Sequence, residues 1–271
     1  MTISEYKARL EAYLGDVRTP EDLSAFWRAK AETPVEAVTM TAVPFVHSGA
    51  VYETLTLSYS GGQLRARVIR PAAEGRHPLM LMFHDLHRGV RGWHHMTRFL
   101  ALGYAVVALE AAPFAGDWKA HLEEIDVARR YQEALILARH AASLPFVDPE
   151  RIAAWGEGFG GGLAVAVAAF GPENLRCIAL NPFPADLRSL LPGEDAASGV
   201  ALDYLDLASF APHLRAPALF GVCLMDPVAK PEGQYAIFNR LTCPNTLKVY
   251  PKYVHERVNF FENEILNFLR E

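Results

Sequence analysis

The sequence predicts an α/β fold with a mostly parallel sheet covered by helices on both faces. Two observations carry this. From residue 79 onward, short apolar runs alternate with helical stretches, and the apolar runs are continuous, as in strands buried on both faces. Before residue 79, alternating segments meet at Gly61-Gly62, which adds antiparallel strands at one edge. The chain has 271 residues, 51% of them hydrophobic, enough for one large domain with a sizeable core.

Residues 2–14 read as a short amphipathic helix. Thr19-Pro20-Glu21-Asp22 reads as an N-cap with proline at the first helical position, and Leu23, Phe26 and Trp27 share one face of the helix that follows. Residues 35–47 and 51–59 alternate like strands, and Gly61-Gly62 turns into a third strand over Leu64–Arg70. After a loop from Pro71 to Pro78, Leu79–Phe83 is a buried strand, 92–102 a helix and Tyr104–Leu109 another buried strand. One long helix is expected over 121–143. Asp148-Pro149-Glu150 is expected as a turn, then a strand over Arg151–Trp155 and a helix over 161–170. Cys177–Leu180, Ala218–Leu224 and Thr246–Tyr250 complete the strands, and residues 259–269 form a last amphipathic helix.

Net charge is -5 and the pI about 6.1. With no Lys/Arg run, a nucleic-acid partner is not expected. No stretch approaches the roughly 18 apolar residues of a membrane span, and the charged first turns do not resemble a signal peptide. Cys177, Cys223 and Cys243 are far apart and show no metal-type spacing, so a reduced cytoplasmic protein without cofactor or metal is the expectation.

The chemistry concentrates in Trp155-Gly156-Glu157-Gly158-Phe159-Gly160-Gly161-Gly162. This stretch has the build of a nucleophile elbow, G-x-S-x-G, a sharp strand-to-helix turn that presents one side chain to an active site. Here Gly158 stands at the nucleophile position, where a serine is expected. Elbow hydrolases carry an acid and then a histidine on later loops. Asp226 follows the strand ending at Leu224, and His255 the strand ending at Tyr250. The acid would hold the imidazole tautomer; the histidine would take the nucleophile's proton. The arrangement is that of an α/β-hydrolase over residues 1–271, with a helical extension over 1–34 and a reduced cap over 184–202. The backbone N–H groups of Phe159 and Leu86 are expected to form the oxyanion hole. Asp85 sits beside that hole, where a carboxylate would repel a developing oxyanion; a solvated acid, or one paired with Arg88 or Arg91, is the plainer expectation.

Gly156, Gly158 and Gly161 also fit G-x-G-x-x-G, but midway along the chain, and a dinucleotide site would leave Asp226 and His255 unexplained. His84, His87, His94 and His95 cluster without a fixed ligand spacing for zinc.

On these motifs the chain resembles carbohydrate esterase family seven, the acetyl xylan esterases and cephalosporin C deacetylases, almost end to end. The stretch from Thr19 to Trp27, Gly61-Gly62-Gln63-Leu64, Arg88-Gly89, Gly116-Asp117-Trp118 and Val147-Asp148-Pro149-Glu150-Arg151-Ile152 resemble its signatures. So do Leu224-Met225-Asp226 and Val254-His255-Glu256. The resemblance implies an α/β-hydrolase that deacetylates small acetylated esters or sugars and forms a ring-like homo-oligomer. Five positions in three motifs depart from the family. Its elbow serine and following glutamine are Gly158 and Phe159 here, its His-Gly-Tyr loop is His84-Asp85-Leu86, and the glycine before its histidine is Val254.

The expectation is therefore a catalytically impaired esterase that binds an acetylated sugar or similar small ester, with Gly158→Ser recovering part of the activity. Two alternatives stand beside it. One is hydrolysis by a water that His255 activates in the space left by the serine; the other is a non-catalytic partner subunit.

Overall fold

The computed structural model describes residues 2–45, 47–90 and 92–270. Helices α1 (Ile3–Glu11) and α2 (Leu23–Ala31) precede an antiparallel ribbon of β1 (Val35–Ala42), β2 (Ala50–Tyr59) and β3 (Gly62–Pro71). Then come β4 (His77–Phe83), α3 (His94–Leu100), β5 (Ala105–Glu110), α4 (Leu122–Ile125) and α5 (Val127–Ala142). The elbow joins β6 (Val147–Glu157) to α6 (Phe159–Phe170), and β7 (Arg176–Leu180) follows. The segment expected as a reduced cap holds α7 (Leu187–Leu190) and a small hairpin, β8 (Ala196–Ala197) and β9 (Val200–Ala201). The chain closes with α8 (Leu207–Phe210), β10 (Ala218–Cys223), α9 (Pro231–Phe238), β11 (Asn245–Tyr250) and α10 (Phe261–Phe268).

Nine strands form one sheet in the order β1-β2-β3-β5-β4-β6-β7-β10-β11. The four pairings from β4–β6 to β10–β11 are parallel, as is β4–β5, so the strands that carry the site all end at one edge. Leu79, Leu81 and Phe83 of β4 face a large core under α2, α5 and α6; Met80 and Met82 face a second core under α3 and α10. Both faces being buried explains why these strands read as unbroken apolar runs.

Several local expectations are corrected. The Thr19-Pro20 pair does not cap a helix: α2 starts three residues later, with Asp22 at its N-cap. The Thr19 hydroxyl instead meets Ser209 at 3.4 Å. The helix expected over 121–143 is broken at Asp126, whose φ of 50° is left-handed and whose carboxylate caps α5 through Arg129 N. Asp148-Pro149-Glu150 lies within β6 rather than in a turn before it. The first strand ends at Ala42, and Val46, within the expected 35–47 strand, lies outside the described residues. Among the described residues no helix is long and apolar enough to cross a membrane.

Helix α2 is part of the main core, while Leu10 of α1 packs in a small separate cluster with Val222 and Tyr235. Trp27 is 0% exposed and packs edge-on against Tyr131 of α5 and Phe210 of α8, while its indole N–H donates to the Tyr204 carbonyl at 2.8 Å. Trp27→Phe removes the bond to that part-buried carbonyl and is expected to cost about 0.5–1.5 kcal/mol; Trp27→Ala adds a cavity, for about 3–5 kcal/mol. Urea unfolding of both variants checks the order.

Candidate functional site

Four loops at the carboxyl edge of the sheet build the site. They follow β4, β6, β10 and β11, and the register aligns their starts: Phe83 lies beside Gly156, Glu157 beside Leu180, and Cys223 beside Tyr250. The elbow has the sharp geometry expected of it. Gly158 sits at φ 58° and ψ -126°, a conformation that favours glycine, and α6 begins at the next residue. The flanking glycines serve packing. A Cβ on Gly156 would lie 2.0 Å from the Gly160 carbonyl oxygen, so the strand and helix meet at a distance only glycine permits.

The structure brings together every residue expected at the site. His255 Nδ1 lies 2.7 Å from Asp226 Oδ2, and Asp226 Oδ1 accepts hydrogen bonds from Val228 N (2.8 Å) and Ala229 N (2.9 Å). The backbone N–H groups of Leu86 and Phe159 converge on one point. That point is filled: Oδ1 of Asp85 accepts both, at 2.8 Å from Leu86 N and 2.9 Å from Phe159 N. The other oxygen, Oδ2, lies 2.8 Å from His255 Nε2. Asp85 thus makes the two contacts that a serine esterase divides between its nucleophile and its oxyanion.

Asp85 is the residue whose surroundings differ most from the sequence expectation. It is not solvated, and no arginine among the described residues pairs with it. It is buried, and Arg88 Nη1 pairs instead with Glu157 Oε2 at 3.3 Å. Arg91, the other expected partner, lies outside the described residues. The signal was present as two departures from the family pattern, a carboxylate gained at Asp85 and a hydroxyl lost at Gly158. Their common cause is contact. A Cβ built on Gly158 would stand 2.2 Å from Asp85 Oδ1 and 2.4 Å from its Cγ, well inside any real carbon contact. A serine at 158 and the seated Asp85 carboxylate exclude one another.

Phe159 does not plug the site. Its ring lies in the main core, stacked on Tyr131 and edge-on to Phe183, and its N–H donates to Asp85 Oδ1. The space above Gly158, bounded by Asp85, Arg88, Glu157, Asn181, His255 and Glu256, is about 10 Å³. One ordered water needs roughly 10–15 Å³, so no acyl group fits. The water expected beside His255 has its place taken by Asp85 Oδ2.

The electrostatics follow from the contacts. Both ring nitrogens of His255 face carboxylate oxygens, which only accept, so the ring donates from both and is an imidazolium. Burial opposes that charge, but the hydrogen bonds to Asp226 and Asp85 outweigh it and push the pKa up to about 9. For Asp85, burial favours the neutral acid. His255 and the N–H groups of Phe159 and Leu86 prevail and hold it below the usual carboxylate range. The N-terminus of α6 adds to the attraction. Burial raises Glu157, against the nearby Arg88.

The nine-stranded, mostly parallel sheet and the elbow at its carboxyl edge define a protein of the α/β-hydrolase class. The acetyl xylan esterase (AXE1) family model matches residues 7–125, 123–199 and 193–271, and the chain belongs to that family. Acetyl xylan esterase 1 from Thermoanaerobacterium sp. JW/SL YS485 superposes with a TM-score of 0.82 at 23% identity, covering 99% of this chain and 98% of that one. Acetyl xylan esterase from Paenibacillus sp. R4 gives 0.83 at 19% identity, covering 100% and 99%. The quorum-quenching protein AidA of Acinetobacter baumannii (strain MDR-ZJ06) is 27% identical over 177 residues, a match spanning 64% of this chain and 56% of that protein.

The network has a pH signature. A folded-state pKa of about 9 for His255, against ~6.5 in an unfolded chain, corresponds to on the order of 3 kcal/mol. The raised value means this stability is fully present below pH ~6.5 and lost as pH rises through about 9. Asp85 has the opposite sign: its contribution is present above pH ~4 and lost as pH falls through its depressed folded value. The unfolding free energy of the wild type should therefore fall more steeply between pH 7 and 9 than that of His255→Gln. Parallel curves for the two proteins would exclude the coupling.

Proposed function

We propose that this acetyl xylan esterase homologue is catalytically impaired, because the Asp85 carboxylate is seated in its oxyanion hole and against its histidine. In this reading Asp226 and His255 are the acid and histidine of the ancestral triad, Gly158 marks the lost nucleophile, and Phe159 and Leu86 supply the hole. The single observation behind it is the 2.9 Å bond from Phe159 N to Asp85 Oδ1. The carboxylate stands where the negative oxygen of a tetrahedral intermediate would form. An ester carbonyl would have to displace a charged group bound by two N–H donors and an imidazolium. An imidazolium has no lone pair with which to activate water, so hydrolysis through His255 is not favoured.

An acetylated sugar or similar small ester remains the ligand implied by the family. It reaches the hole only after Asp85 leaves, so its affinity for the wild type is weak. Three free, buried cysteines fit a cytoplasmic protein.

The test is a restoration. Gly158→Ser alone is expected to stay inactive on p-nitrophenyl acetate, because the new Cβ meets Asp85. Asp85→Gly alone opens the hole but supplies no nucleophile. The double variant Asp85→Gly/Gly158→Ser should exceed both single variants by at least about 10³ in kcat/KM, within the roughly 10⁶ that a triad serine commands. Labelling by a serine-directed fluorophosphonate should follow the same order. Equal activity in Gly158→Ser and the double variant, or wild-type hydrolysis abolished by His255→Ala, would overturn the proposal.

A further inference from the structure

Behind the Asp85–His255 pair lies a second cavity, of about 70 Å³, that the proposed function does not use. It opens toward the α3 side of the sheet, over Trp155 and Met82. Its walls carry three guanidinium groups from three separate elements: Arg88 from the loop after β4, Arg98 from α3, and Arg257 from the segment after His255. Arginine stays charged at any physiological pH, so three positive charges face one small space.

Two carboxylates pair with them. Glu157 Oε2 accepts from Arg88 Nη1 at 3.3 Å, while the two oxygens of Glu262 accept from Arg98 Nη1 at 3.0 Å and Arg257 Nη2 at 2.9 Å. Asp85 also borders the cavity, but its oxygens are engaged by His255 and the two hole amides. Among the described residues the three guanidinium groups share two carboxylate partners, Arg98 and Arg257 dividing Glu262 between them. Arg98 also has an idle donor: its Nε is buried and has no hydrogen-bond partner among the described residues. Its guanidinium is held over Phe99 at 4.7 Å and Trp155 at 5.7 Å from the ring centres, so it is fixed rather than free to seek solvent.

We propose that this cavity is a binding site for a small oxyanion of phosphate size. The space is several times the roughly 10–15 Å³ that one water needs, and three planar guanidinium groups match the geometry of oxyanion edges. The anion supplies an acceptor for the idle Arg98 Nε and further oxygens for the two arginines that share Glu262. Arg88 and Glu157 border both this cavity and the space above Gly158, so a bound anion would also stiffen the roof of the closed site. The proposal does not rest on the impaired-esterase reading, since none of the three arginines takes part in that chemistry.

Calorimetric titration of the 271-residue chain with inorganic phosphate at pH 7, with ionic strength held constant by chloride, tests it. The expected result is a saturable heat and a matching rise in Tm. Arg88→Gln and Arg257→Gln should each weaken binding at least about tenfold, as loss of a charge-assisted contact does. Glu157→Gln, which removes a competing carboxylate, should tighten it. Arg257 has a side chain 46% exposed, so its variant is expected to fold normally. A crystal grown with phosphate should show the ion bridging Arg88, Arg98 and Arg257. Absence of a saturable signal, affinity unchanged in both arginine variants, or a cavity without the ion would overturn the proposal.

Discussion

The space at the tip of the β6–α6 turn holds either a side chain on residue 158 or the carboxylate of Asp85, and not both. A Cβ at Gly158 would approach Asp85 Oδ1 to 2.2 Å, so a side chain there requires the carboxylate to leave its seat. Gly158 is held by the elbow, whose N–H donates to the Leu180 carbonyl at 2.8 Å. Asp85 is held by three hydrogen bonds through its two oxygens. From this exclusion follow the filled hole, the protonated histidine and the small volume left above the elbow.

The seat of Asp85 reuses parts that the hydrolase fold supplies for another purpose. A parallel sheet delivers four loops to one edge, and the helix after the elbow points its N-terminus at their meeting place. In an esterase that arrangement stabilises negative charge that appears only in the transition state. Here it stabilises a permanent carboxylate. The Asp226–His255 pair then acts as a buried counter-charge, with one imidazolium between two carboxylates. Removing His255 leaves two buried carboxylates without their shared counter-charge, which is far more costly than the absence of the whole network.

Much of the fold was legible in the sequence because burial on both faces writes parallel strands as apolar runs. Leu79–Phe83, Tyr104–Leu109 and Ala218–Leu224 lie within a residue or two of β4, β5 and β10. What failed was local. Asp126 adopts a left-handed conformation that apolar periodicity does not report, so one expected helix is two. Thr19-Pro20 looks like a helix start, yet Asp22 takes the N-cap position and Thr19 turns to Ser209. At the site, the order of Gly158, Asp226 and His255 along the chain pointed to residues that the fold brings together. The role of Asp85 was not legible, because its side chain reaches 74 positions along the chain to Phe159 and 170 to His255. Only the pairing of a lost hydroxyl with a gained carboxylate hinted at it.

The protonation state of the His255 ring tests the account most directly, by ¹H–¹⁵N NMR of the imidazole in the wild-type protein. The account predicts that both Nδ1 and Nε2 carry a proton at pH 7, with slowly exchanging downfield resonances, and that the ring titrates near 9. A neutral ring at pH 7, with one nitrogen bare and a titration below ~6.5, would mean that Asp85 is not seated against His255 and would contradict it.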